Sequence, residues 1–325
     1  MTYSRYIKLA VAAITIIMAS GTVFAWGPRA RMVVVNTALN LMTREQNFPL
    51  TRVQNDVRAG VAADDAVLAE LYPDLALDPK RAIENEMALL SAVRRPTMDA
   101  YYAYRLGLLG RIIAGMTAPM QDAADAERSQ YFADVDRALD TGALQPAPRR
   151  VFETLELFER VVREANSAND LIQSEYRSGV GFKGAASSRL AADVSRSVNA
   201  VADIWWTIVA SRAVAGNISE VQLQRYALKG YAYRIASGNK AEIDSAEAYY
   251  SGLVPFTPDM RASIGDMLYA AGFRERAVKE YEATLAAAPD RRDVVGKISE
   301  YYMEKAEEAL SKNLLEEALA GFEKA

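Results

Sequence analysis

The sequence predicts an all-α protein. Apolar residues recur at three- and four-residue spacing through most of the chain. No stretch alternates apolar and polar residues between hairpin turns, and 51% hydrophobic content over 325 residues is ample for the cores of two domains. The chain has no Cys and no His. Residue type alone therefore excludes disulfides, thiol redox chemistry, Ser-His-Asp and Cys-His nucleophile systems and histidine general bases. The formal charge is −4, and −6 without Arg5 and Lys8, the only charged residues before Ala25. A mildly acidic protein is not expected to offer nucleic acid or anionic lipid a general binding surface.

Residues 1–25 read as an export signal. Arg5 and Lys8 form a positive start, Leu9 to Ala19 is a nearly uninterrupted apolar run, and Val23-Phe24-Ala25 places small residues at a cleavage site. Cleavage after Ala25 makes Trp26 the first residue and sends the protein to the periplasm, the cell envelope or the medium. The alternative is an uncleaved membrane anchor, but the run ends at Ser20-Gly21-Thr22 and is short for a span of about 20 residues. Membrane association is expected only in that alternative.

The helices follow in order. Met32, Val35, Ala38, Leu39 and Met42 share one face of the first, which ends over Thr43 to Pro49. A second is expected over Thr51 to Ala63, and Tyr72-Pro73 and Asp78-Pro79 mark the loop after a short element. Met98 to Met116 carries Tyr101, Tyr104, Leu108, Ile112 and Met116 as a stripe and stops before Pro119. Further helices are expected over Ala126 to Leu139, Arg149 to Ala165 and Ser187 to Ala215, the last preceded by a loop holding Gly179, Gly181 and Gly184. Asp122, Asp125 and Glu127 lack the spacing of a calcium loop and read as helix N-terminal acids. Of Trp205 and Trp206, one is expected in the core.

Residues 216–325 change character and show a repeat resembling the tetratricopeptide pattern, in which a small residue lets two helices approach, an aromatic four positions on fills the groove, and a proline twelve positions on stops the second helix. Gly272, Ala277, Tyr281 and Pro289 fit it. Ala246, Tyr250 and Pro258 repeat it 31 residues earlier, and Asn313, Ala318, Phe322 and Ala325 begin it again 41 residues later. Such arrays generally present a groove to a protein or peptide. An array cut inside its last hairpin leaves an apolar face uncapped, so either further chain or a docked partner is expected there.

Residues 26–215 carry a second resemblance. Trp26-Gly27 followed by Arg31 to Ala38, the segment Gly60-Val-Ala-Ala-Asp64, and above all Tyr104 to Gln121, with its apolar frame and Pro119, resemble the zinc-dependent phospholipase C and S1/P1 nuclease superfamily over about residues 26 to 210. That family implies a multi-helix domain whose mature N-terminal Trp, exposed by cleavage, ligates metal through its amine and carbonyl, with Leu-Gly-x-x-x-His-x-x-x-Asp-x-x-x-Pro-x-His on its central helix. Here the ligand positions hold Arg31 and Arg111 for His, Gly115 for Asp and Gln121 for His. A later ligand pair aligns with Arg128 and Phe132. Only Trp26 and Asp64 remain as ligands.

A zinc site is built from Cys, His and a minority of carboxylates, and Arg stays protonated, so it cannot ligate. No metal and no cofactor are therefore expected. Arg31 and Arg111 are expected either to fill the old cavity by pairing with Asp64 or another carboxylate, or to converge on an open cleft and bind an anion or lipid headgroup. A divergent phosphodiester hydrolase using Asp64 with a hard cation is the catalytic alternative. The reading that results is an exported non-catalytic scaffold, a degenerate hydrolase-like domain joined to partner-binding repeats.

Overall fold

The computed structural model describes residues 26–45, 50–152, 154–210 and 218–325. The expected export signal over residues 1–25 lies outside them, as do Gln46 to Pro49 and the end of the last N-terminal helix expected through Ala215. The chain divides into two compact units, Met1–Gly216 and Asn217–Ala325. Both are helical, and no strand occurs among the described residues.

The first unit holds α1 (Pro28–Glu45), α2 (Gln54–Ala62), α3 (Asp65–Leu71), α4 (Pro79–Val93), α5 (Ala100–Met116), α6 (Asp125–Ala138), α7 (Glu156–Asn166), α8 (Asn169–Arg177) and α9 (Ala185–Ala210). Helix α5 is its axis. The Asp99 carboxylate starts it by accepting from the amides of Tyr101 (3.0 Å) and Tyr102 (3.4 Å). It is buried nearly all round, not along one stripe, as a helix apolar on every face must be, and it packs against α1, α2, α4 and α9. Two glycines set the crossing with α2: a Cβ on Gly60 would stand 2.1 Å from the Tyr104 carbonyl oxygen, and one on Gly107 2.0 Å from that of Val57. Trp205 on α9 is fully buried and donates Nε1–H to the Leu106 carbonyl at 3.0 Å, while Trp206 is half-buried.

The helix expected from Arg149 starts only at Glu156. Residues 145–152 instead run along α9. The amides of Gln145, Ala147, Arg150 and Phe152 donate to Ser195 Oγ (2.8 Å), Asn199 Oδ1 (2.9 Å), Asp203 Oδ1 (3.1 Å) and Thr207 Oγ1 (2.9 Å). These acceptors recur every fourth residue and form one stripe on α9. They hold residues 145–152 along α9, and Pro146 and Pro148 disfavour helical backbone at Gln145 and Ala147. Asp203 also receives Arg149 (3.0 Å) and Arg150 (3.1 Å).

The second unit is three successive hairpins: α10 (Glu220–Ala236) with α11 (Lys240–Ser251), α12 (Pro258–Ala270) with α13 (Arg274–Ala287), and α14 (Arg292–Ser311) with α15 (Leu315–Lys324). A Ser219/Gln222 capping box opens α10. The turn between α12 and α13 recurs between α14 and α15. Gly272 and Asn313 are left-handed (φ 86° and 60°). The amides of Gly272 and Phe273 donate to the carbonyls of Tyr269 and Leu268, and those of Asn313 and Leu314 to Leu310 and Ala309. The 41-residue offset is thus a register of backbone geometry. Ala246, Ala277 and Ala318 are buried, as are Tyr250 and Tyr281. Each of these rings lies over a glycine, Gly230 or Gly265, where a Cβ would stand 2.4 Å away. Ala288 before Pro289 leaves the helical region and ends α13. Pro258 does not end α11, which stops at Ser251; it occupies the first turn of α12, where its missing amide costs nothing.

Candidate functional site

The positions singled out in the first unit lie just before and on α1, at the α2–α3 corner, on α5 and the turn after it, and on α6. Trp26, read from sequence as an exposed terminal ligand, has a fully buried side chain. Its ring lies 6.5 Å from Tyr131 and 6.2 Å from Phe132, and its Nε1–H donates to Ser197 Oγ at 3.0 Å. Beside it the Asp136 carboxylate caps α1, accepting from the amides of Ala30 (2.8 Å) and Arg29 (3.2 Å). Gly27 makes room for that carboxylate, since a Cβ there would stand 2.4 Å from Asp136 Oδ2.

Arg111, mid-way along α5, is 7% exposed. Its Nη1–H donates to the Ala63 carbonyl at the end of α2, and its Nη2–H pairs with Asp65 Oδ1 in the first turn of α3. A guanidinium at the carbonyl end of a helix is favourably placed, and here it staples the α2–α3 corner to α5. Its carboxylate partner is Asp65. Asp64 is exposed and makes no side-chain cap. Arg31 on α1 is half-buried and has no hydrogen bond or ion pair from its side chain among the described residues. Burial first, and then the charge of Arg111, lower its affinity for its proton, against the pull of Asp65 and Asp136. It remains a guanidinium at any ordinary pH.

Gly115 and Gln121 come together, but not as ligands. The Gln121 side-chain amide donates to the carbonyls of Gly115 (2.7 Å) and Ala118 (2.9 Å) and closes the C-terminal turn of α5. Arg128 reaches back to the Gln121 carbonyl at 3.2 Å and pairs with Asp125. Asp125 and Glu127 occupy the first turn of α6, where acids oppose the helix dipole, and Glu127 also binds Arg177 at 3.1 Å.

The fit to zinc is poor on donor chemistry. Arg31 and Arg111 are cations without a lone pair to give, Gly115 has no side chain, and Gln121 has its amide nitrogen engaged with carbonyls. Among the described residues no three His, Cys, Asp or Glu side chains converge.

The sequence reading missed a buried charge pair on α5. Arg105 binds Glu86 through two parallel bonds, Nε to Oε1 (2.9 Å) and Nη2 to Oε2 (2.5 Å), donates to Tyr101 Oη (3.0 Å), and lies 5.4 Å from the Tyr72 ring centre. The signal available was an arginine inside an apolar run, between Tyr104 and Leu106. No family model, curated protein or solved structure matches the chain.

Proposed function

We propose that this chain is an exported, non-catalytic interaction protein: a helical unit on the phospholipase C/P1 nuclease pattern whose metal positions have become structural contacts, joined to tetratricopeptide-like hairpins that hold a protein or peptide. The observation that carries this reading is the commitment of Arg111 to Ala63 and Asp65 together with that of Gln121 to Gly115. Groups spent on closing helix ends are not free to activate water or bind phosphate. The anion-binding alternative retains only Arg31, since Arg111 is engaged, and one arginine cannot supply a two-arginine clasp. The hydrolase alternative finds no cluster of three carboxylates among the described residues.

The test is turnover of bis(p-nitrophenyl) phosphate and of phosphatidylcholine vesicles by the purified chain with zinc supplied. No rate above buffer is expected. A zinc-dependent rate abolished by chelator would replace this reading with the hydrolase.

A further inference from the structure

The interface between the second and third hairpins serves as a template for a face of the third hairpin that is exposed among the described residues. Helix α14 packs on α13, and three basic residues around α14 meet three acids of the preceding hairpin: Arg291 binds Asp259 (2.5 Å), Lys297 binds Asp266 (2.5 Å) and Lys305 binds Glu275 (3.6 Å). Between these pairs Lys297 also lies 5.4 Å from the Tyr281 ring, and Val278 and Tyr281 are buried at 3% and 1% exposure.

The same surface recurs 41 residues on, in the register that the paired left-handed turns fix. Asp259, Asp266 and Glu275 become Glu300, Glu307 and Glu316, all exposed. None has an ion pair or hydrogen bond from its side chain among the described residues. Val278 and Tyr281 become Leu319 and Phe322, now 61% and 41% exposed, and Leu315 beside them is 61% exposed. Leu315, Leu319 and Phe322 share one stripe of α15. Three acids flanking an apolar stripe is the arrangement that α14 covers one hairpin earlier, with the charge left unmatched.

We propose that this face binds an amphipathic helix with basic residues at the spacing of Arg291, Lys297 and Lys305, six and then eight residues apart. Charge selects it: an acidic or neutral apolar helix would bury the stripe but leave three carboxylates unanswered. The inference deepens the partner-binding reading above and fails separately from it. A null result here removes this face, whereas that reading falls to zinc-dependent turnover.

The experiment is fluorescence anisotropy of a labelled peptide carrying residues 291–311 of this chain, titrated with the full chain. Saturable binding that weakens with salt is expected. Reversing Glu300, Glu307 and Glu316 to Lys should weaken it by about tenfold or more, and so should Leu319→Asp. A peptide with Arg291, Lys297 and Lys305 changed to Glu should fail on the native chain and recover on the reversed one. These positions are exposed, so circular dichroism should show the variants folded. Absence of saturable binding, or binding indifferent to charge reversal on a folded chain, overturns the proposal.

Discussion

Arg105 and Arg111 lie on one helix and engage a carboxylate each, yet they should differ sharply in weight. Glu86 is 3% exposed, so Arg105→Met strands a buried carboxylate, a loss of about 3–5 kcal/mol. The Asp65 side chain is 58% exposed. Arg111→Met leaves it in water and should cost only the lost bonds, about 1–2 kcal/mol. Arg31→Met should be neutral or stabilising, because among the described residues the guanidinium makes no ion pair, and its burial and the charge of Arg111 oppose the pull of Asp65 and Asp136. Urea unfolding of the three variants checks the order, and a larger loss for Arg111 than for Arg105 would contradict it. That Arg111 could not be a metal ligand was legible from guanidinium chemistry alone. That it meets Asp65 and not Asp64 was not, because one step along a helix swings a side chain by about 100°.

Helices α2 and α5 cross at Gly60 and Gly107, and this contact accounts for a glycine within the apolar run that starts at Leu106. Gly107 admits a neighbouring backbone, and Gly110 the Trp205 ring, where a Cβ would stand 2.9 Å away. Gly107→Ala must push two backbones apart and should cost about 1–3 kcal/mol. Gly296→Ala on α14 meets nothing within 4 Å and has no unusual φ. It should gain about 0.5–1 kcal/mol from helix propensity. Thermal unfolding of the pair, with shifts of opposite sign, checks this; equal signs would contradict it. Periodicity made α1, α5 and α6 legible to within a few residues. It failed at residues 149–155 because the competing acceptors, Ser195 to Thr207, lie about fifty residues downstream, beyond the reach of any local pattern.

At the scale of the molecule, all-helical architecture was legible because it depends on spacing, and the recurrent turns of the second unit because Gly272 and Asn313 are residues that tolerate left-handed backbone. Which surfaces stay open was not legible, since burial belongs to neighbours as much as to residues: Tyr281 and Phe322 occupy one register position with opposite exposure. The same holds for Arg111 and Gln121, whose residue types argue against zinc ligation but could not show that Gln121 closes α5. Thermal unfolding across a zinc titration bears on the proposed absence of a metal site most sharply. An unchanged midpoint is expected at every zinc concentration. A saturable rise would contradict it, since a ligand at a hundredfold excess over its Kd adds about 2.7 kcal/mol to the folded state, and such a gain would mean that zinc finds ligands where this structure places helix caps and an ion pair.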